Sequence, residues 1–453
     1  MTTPDPRREF ATEVVARLRD AGFRALWAGG CVRDEVLGHP PADYDVATDA
    51  TPEQVMARFR RTVPVGVSFG VVRVLGPREA GEVEVATFRS DGAYVDGRRP
   101  ESVTFGSPEE DASRRDFTIN GMFLDPLTGD LLDFVGGRDD LNAGVIRAIG
   151  DPAARFAEDK LRLLRAIRFA ARFGFAIEPR TRLALAAMAP EVRVVAAERI
   201  AQELQKILVH PSRARGLALA SDLDLVTAIL PELVPMKGLP QDKPARPGGD
   251  LWDHTLGVLD LLPPAPSFPL AFAALLHDVG KPPTRGLRDG RVTYYNHEQV
   301  GARMAARIAR DLKLANADRE RIAWLVEFHQ YLGEARSLRE AKLKRMLAMP
   351  GIEDLLALHR ADALASTGDA SVVDYCESYL RDQPAGPISP PALLSGHDLV
   401  RHGLKPGPGF KELLEQAYDA QLEGLVRSKK EALEWIDRRL ADGGPAPPEP
   451  KDS

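Results

Sequence analysis

Two adjacent glycines, Gly29 and Gly30, separate a short apolar run, Ala25-Leu26-Trp27-Ala28, from a segment of helical character, Val32 to Leu37. Few local patterns constrain a chain more. Residues without a Cβ let the backbone approach an anion closely, and the opening helix points its free N–H groups at the same place. Asp43 and Asp45 follow, flanking Tyr44. Alternation by two puts both carboxylates on one side of a strand. Their hard oxygens suit Mg²⁺ carrying a nucleoside triphosphate. An isolated Asp-x-Asp is more often a solvated turn, but Gly29-Gly30 and Arg33 nearby reverse that preference. Gly29, Gly30 and Arg33 are therefore candidate phosphate contacts, and Asp43 and Asp45 candidate catalytic metal ligands. A third carboxylate is usual in such sites. Glu84, in the strand-like run Glu82 to Ala86, is the first choice, with Asp116 as the alternative.

A chain of 453 residues has room for two to four domains, and its 44% hydrophobic and 28% charged content is that of a globular protein. The net charge of −6 excludes a basic surface over the whole molecule, so any nucleic-acid contact must be local. The two cysteines, Cys31 and Cys376, form no CxxC pair. A disulfide scaffold or cysteine zinc site is not expected, and a reducing cytoplasm fits. No apolar run nears the ~18 residues of a membrane span, so no membrane partner is expected. The polar segment Met1 to Glu9 lacks the apolar centre of a signal peptide. The oligomeric state is left open.

Phe10, Val14, Val15 and Leu18 have helical spacing, while Val71–Leu75 and Glu82–Ala86 read as a hairpin around Gly76-Pro77. Residues 1–150 thus form a mixed α/β catalytic domain. Beyond Asp151-Pro152, Phe156–Arg172, Arg180–Met188 and Glu198–Leu208 are predicted helices, and strands nearly vanish. Residues 151–240 are expected to form a helical region for nucleotide recognition and RNA binding. A linker at 241–250 leads to a second helical domain at 251–381, then to helices at 392–441 and a disordered tail at 442–453.

Two further blocks carry chemistry. In Arg114-Arg115-Asp116-Phe117-Thr118-Ile119-Asn120, the paired arginines can grip triphosphate oxygens through forked hydrogen bonds. In Glu158 to Phe169, Asp159, Arg162, Arg165 and Arg168 recur every three residues and share one drifting helix face. Cytosine and adenine each offer an amino donor beside a ring-nitrogen acceptor. A carboxylate and a guanidinium side by side match both bases and reject guanine and uracil, at about 1–3 kcal/mol per bidentate contact. Between Arg155 and Arg215 there are 13 Lys/Arg against 6 Asp/Glu, a local excess that suits an RNA backbone.

These ordered blocks over roughly residues 20–235 resemble the class II CCA-adding tRNA nucleotidyltransferases and the related bacterial poly(A) polymerases. The resemblance implies an α+β fold: a mixed-sheet, polymerase-β-like nucleotidyltransferase domain, then an all-α neck and body. It also implies addition of C and A to the tRNA 3′ end from CTP and ATP with Mg²⁺. Gly30, Arg33, Arg115, Asp159, Arg162, Arg165 and Arg168 would contact nucleotide, and Asp43 and Asp45 the metals. Thr87 to Pro100 resembles the family's flexible loop for switching from C to A. The segment Val65 to Gly70 lacks the arginines typical of poly(A) polymerases, which favours CCA addition. Addition of A alone, or poly(A) synthesis, stays open as the second reading.

The later helical domain places His254, His277-Asp278, His297, His329 and Asp362 in series, using four of the nine histidines. Imidazole and carboxylate together suit a divalent transition metal with open positions. The order resembles the HD phosphohydrolases and implies His254, His277, Asp278 and Asp362 as ligands, with His297 and His329 completing a second metal site. Phosphohydrolase activity on RNA ends would follow, and a mainly hydrolytic RNA-processing enzyme is the remaining alternative.

Overall fold

A computed structural model describes residues 5–66, 70–92, 103–240, 249–383, 386–407 and 409–441. The chain forms two compact units. One comprises 1–237 with the short segments 264–268 and 307–319; the other comprises 238–263, 269–306 and 320–453.

The first unit begins with α1 (Pro6–Asp20), capped by Asp5 and burying Ala11, Val14, Val15 and Leu18. That one-face stripe packs on the sheet, as the apolar spacing requires. Its strands are β1 (Ala25–Ala28), β2 (Asp45–Thr48), β3 (Thr62–Gly66), β4 (Val71–Leu75), β5 (Glu82–Thr87), β6 (Arg89–Asp91), β7 (Val103–Phe105), β8 (Met122–Leu124) and β9 (Leu131–Asp133). Seven of them make one mixed sheet in the order β3-β4-β5-β2-β1-β8-β9, and β6 and β7 pair separately. The expected hairpin is present: β4 and β5 are antiparallel across the Gly76–Gly81 turn. β5 then lies parallel to β2, with Asp45 beside Glu84. The helices are α2 (Gly30–Val36), α3 (Pro52–Arg58), α4 (Pro108–Ser113), α5 (Gly137–Ala143), α6 (Pro152–Glu158), α7 (Leu161–Phe173), α8 (Pro179–Met188) and α9 (Ala197–Leu208).

One helix expectation is corrected. Phe156 to Arg172 is not continuous, because Asp159 is extended (φ −147°, ψ 105°) and ends α6. Its carboxylate accepts from the Leu161 N–H at 3.0 Å, so the same residue helps open α7.

In the second unit the all-apolar helix Phe268–Leu276 is buried on every side over Ala271–Leu276. Further helices are Leu251–Leu261, which packs on Ile352–Ser366, and His297–Asp311 and Asn316–Phe328. Strands do not quite vanish: Arg285–Arg288 and Arg291–Tyr294 form an antiparallel ribbon. The helices Gly396–Arg401, Gly409–Leu422 and Lys429–Ala441 share a small core built on Leu399, Ala417, Ala432 and Ile436. Among the described residues no helix is long and apolar enough to cross a membrane. Most of the proposed linker (241–248), the tail from 442, and residues 93–100 of the proposed switching loop lie outside the described residues.

Candidate functional site

The parallel register of β2 and β5 sends the Asp45 and Glu84 side chains from the same face of the sheet. Asp43 is not on the strand, as the spacing had implied, but in the bend before it. Desolvation, then the like charges of Asp43 and Glu84, push the Asp45 carboxyl up to about 7, against the pull of Arg115. A carboxylate crowded by the like charges of two others is a place where a divalent cation would relieve repulsion. Asp116, the alternative third carboxylate, is committed elsewhere. It is buried, accepts from Arg165 Nε at 2.7 Å, Asn120 Nδ2 at 2.9 Å and the Phe117 N–H at 2.8 Å. Burial would raise its pKa, but Arg165 and Asn120 hold it down at about 2.

Beside Asp45 opens a cavity of about 370 Å³, walled by Gly29, Gly30 and six arginines (33, 114, 115, 162, 165 and 199) against three carboxylates (45, 116 and 159). That excess of cations suits a triphosphate. Gly29 caps α2 at φ +74°, and a Cβ there would stand 2.7 Å from Arg115 Nη1. The positive φ favours glycine here, and a side chain would also push the end of Arg115 aside. Arg33 donates from Nε to Asp34 (2.8 Å) and from Nη1 to Asn120 Oδ1 (2.6 Å). Asn120 in turn donates to Asp116, which holds Arg165. This chain of polar contacts ties α2 at the glycine turn to α7. Arg114 and Arg115 are both gripped by the buried carboxylate of Asp111, at 2.6 and 2.9 Å.

The pairings around α7 differ from those expected. Asp159 is not on the helix face with Arg162; its two oxygens accept from Arg199 at 3.2 and 2.7 Å. Arg162 donates to Glu158 (2.6 Å) and to the carbonyls of Arg155 and Arg114. Asp159, Arg162 and Arg165 nonetheless line the same cavity. Arg168 is not among its lining residues: it donates to Glu203 at 2.7 Å and lies 4.2 Å from the Phe169 ring centre. Sequence reasoning missed Asp111, Arg199 and the linking role of Asn120. The spacing of Asp111 from Arg114 and Arg115, at i,i+3 and i,i+4, was the available signal for the first.

The second unit brings all six histidines and aspartates of the series together. His254 Nε2 lies 3.2 Å from His277 Nε2 and 3.1 Å from Asp362 Oδ1. Asp278 joins the two halves, its Oδ2 3.2 Å from His277 and its Oδ1 3.5 and 3.6 Å from His297 and His329. His277, His297 and His329 each direct Nδ1 at a carbonyl three residues back, those of Ala274, Tyr294 and Val326, at 2.7–2.9 Å. A carbonyl only accepts, so Nδ1 keeps the proton; on His297 and His329, whose Nε2 atoms have no partner, that nitrogen then presents a lone pair inward. Nε2 of His297 and of His329, and Oδ1 of Asp278, are buried without a hydrogen-bond partner. Orphaned buried acceptors aimed at one point fit bound cations, in two groups that meet at Asp278. Burial opposes charge on Asp278, yet His277 and Lys281 hold its pKa far below the ordinary range. Gly280 allows the approach of the helix bearing His297, since a Cβ there would lie 2.1 Å from the His297 carbonyl oxygen.

The chain is 34% identical to the CCA-adding enzyme of Geobacillus stearothermophilus over 96% of its own length and 98% of that protein. It belongs to the CCA-adding enzyme family. Three family models fall along it: a poly A polymerase head domain at residues 25–147, a "Probable RNA and SrmB- binding site of polymerase A" at 174–236, and an HD domain at 251–367. The first covers the sheet with its carboxylates, and the last covers the whole histidine series. The CCA-adding enzyme of Geobacillus thermodenitrificans is 42% identical over 49% of this chain and 54% of its own. Among solved structures, the CTP complex of the Bacillus stearothermophilus enzyme superimposes with a TM-score of 0.72 at 27% identity, covering 97% of this chain and 99% of that one. The tRNA-bound Thermotoga maritima enzyme, at 20% identity and a TM-score of 0.60 over 95% of both chains, shares the fold. The chain is thus a tRNA nucleotidyltransferase with a mixed-sheet head, a helical body and an HD domain.

Proposed function

We propose that this enzyme completes or repairs the tRNA 3′ end by adding C and A from CTP and ATP, at the cavity beside Asp45. One observation carries the reading: Asp45, paired in register with Glu84 and raised in proton affinity by Asp43 and Glu84, lines an arginine-walled cleft. Asp43, Asp45 and Glu84 would hold Mg²⁺, which when bound activates the RNA 3′-hydroxyl and neutralises the departing pyrophosphate. Gly29, Gly30, Arg33 and Arg115 receive the triphosphate. Asp159, held by Arg199, and Arg162 present an acceptor and donors to the base, while Arg165 is fixed by Asp116. Arg168 supports the recognition helix through Glu203 rather than from the cavity wall. Two buried free cysteines are consistent with a cytoplasmic protein.

The test supplies tRNA lacking its terminal CCA, or ending in CC, with Mg²⁺ and each nucleotide alone. Incorporation of C and then A supports the proposal. Incorporation of A alone transfers it to the A-adding reading, and long A tracts to poly(A) synthesis.

A second activity rests on the orphaned acceptors of the HD domain: metal-dependent hydrolysis of phosphate esters at RNA ends, with His254, His277, Asp278 and Asp362 at one divalent transition metal and His297 and His329 at another. Asp278→Asn should abolish hydrolysis and spare nucleotide addition, and Asp43→Ala the reverse. Loss of both activities in either variant contradicts separate sites.

A further inference from the structure

The ribbon Arg285–Arg288 with Arg291–Tyr294 stands in the chain between the metal-ligand pair His277-Asp278 and His297. It is joined to the metal centre by two contacts. The Tyr294 carbonyl accepts from His297 Nδ1 at 2.9 Å. Lys281, whose Nζ donates to Asp278 at 2.6 Å, lies 5.8 Å from the Tyr294 ring centre.

The ribbon's composition is odd for a solvent-exposed hairpin. Residues 281–295 hold Lys281, Arg285, Arg288 and Arg291 against one acid, Asp289, in a chain of net charge −6. Arg288 and Arg291 are direct cross-strand partners, a like-charge pairing that destabilises a hairpin unless an anion lies between them. Arg285 and Arg291 have no ion-pair partner among the described residues, and both are exposed. Arg288 donates to the Tyr295 hydroxyl at 3.0 Å, and the Tyr295 ring is 63% exposed. The turn residues Asp289 and Gly290 both have positive φ (51° and 74°), so the arginine pair sits next to a tight two-residue turn.

We infer that this ribbon is a binding strip for single-stranded RNA, holding the strand whose terminal phosphate ester enters the HD centre. The inference rests on the hydrolytic reading of that centre for its substrate, but not for the binding itself. A strip of four residues per strand is roughly 13 Å long. Alternation places Arg288 and Arg291 on one face beside the turn and Arg285 on the other, so the arginine pair sits about 10 Å along the ribbon from Tyr294, the residue that touches the metal centre. A mononucleotide whose only phosphate is in the centre has none to reach that pair, whereas an oligonucleotide places a second phosphate there and a base beside the exposed Tyr295 ring. The substrate class of the HD centre is then an oligoribonucleotide end rather than a free nucleotide.

The test uses the full-length protein with Mn²⁺, comparing wild type with the exposed double variant Arg288→Ala/Arg291→Ala. Substrates are a 3′-phosphorylated decaribonucleotide, a nucleoside 3′-phosphate and p-nitrophenyl phosphate. The variant should raise KM for the decamer about tenfold and lower the slope of log affinity against log salt by about 1.4, two cations at about 0.7 each. Hydrolysis of the two small esters and nucleotide addition should not change. An unchanged KM for the decamer, or an equal rise for the nucleoside phosphate, overturns the inference. If wild type hydrolyses none of the three, the hydrolytic reading fails by itself. The strip is then judged by cross-linking a 4-thiouridine oligoribonucleotide to the whole protein. An adduct within 285–295 that disappears in the double variant supports it, and no adduct there overturns it.

Discussion

Replacing Asp116 by asparagine removes one negative charge from the chain of contacts that joins the glycine turn to α7, with almost no change in volume. The gap between an ordinary aspartate at 3.8 and about 2 in the folded protein measures how strongly the fold prefers the ionised form. At about 1.36 kcal/mol per pH unit this is on the order of 2–3 kcal/mol. Arg165 is one-third exposed, so water replaces part of what it loses and about 2 kcal/mol is expected at pH 7. The sign follows from the depressed pKa. The contribution is complete above 3.8 and lost as pH falls towards 2, so about half of it should remain at pH 3. Hydrogen exchange of α7 peptides across a urea titration, in wild type and Asp116→Asn at pH 7 and pH 3, reads the difference directly. A variant within 0.5 kcal/mol of wild type at pH 7, or a difference that does not shrink at pH 3, would refute the reasoning.

Other outcomes follow from the same geometry. Asp159→Ala should relax the preference for C and A by about 1–3 kcal/mol, roughly 5- to 150-fold in relative kcat/KM, in single-nucleotide addition assays; unchanged selectivity would remove Asp159 from base reading. Asp111→Asn should weaken nucleotide binding through loss of both arginine contacts, and a rise in KM for CTP and ATP together is its signature. Because Asp45 is pushed up to about 7, a cation binding there near neutral pH must displace a proton. The Mg²⁺ needed for half-maximal addition should therefore rise as pH falls from 8 to 6, and less steeply in Glu84→Gln. Gly280→Ala should force apart the backbone bearing His297, costing about 1–3 kcal/mol and lowering metal content, measured by urea unfolding and elemental analysis.

What the sequence disclosed and what it hid divide by range of interaction. The glycine turn and the β4–β5 hairpin follow from residue alternation and turn chemistry, which act locally; Glu84 could be named only as an acid on a strand-like run, and its register beside Asp45 is a contact across 39 residues. The histidine series was readable because each motif supplies its ligand from its own short segment, with Nδ1 fixed by a carbonyl three residues back. Asp159 was misassigned because a helical period continues across it. What breaks the helix there is accompanied by a bond from Arg199, forty residues away, which no local pattern encodes. The ribbon at 285–294 lay within reach, since Asp289-Gly290 is a strong hairpin signal; the short, arginine-rich strands beside it have no apolar alternation to mark them.

The metal-facing groups of the two sites share one electrostatic feature. Inside this protein a charge that exists for the fold has its partner in place: Asp111 with two arginines, Asp116 with Arg165, Glu203 with Arg168 and Lys206. The groups assigned to metal ions are instead left facing like charges or with an atom unpartnered, as with Asp45 beside Asp43 and Glu84, and with the inward acceptors of His297, His329 and Asp278. Leaving such groups uncompensated costs stability unless something outside the chain completes them. The arginines proposed to meet the nucleotide, Arg33, Arg115 and Arg162, are also held by acids, which preorganises them. The Arg288–Arg291 pair, exposed and facing its own kind, belongs with the ligand-binding groups.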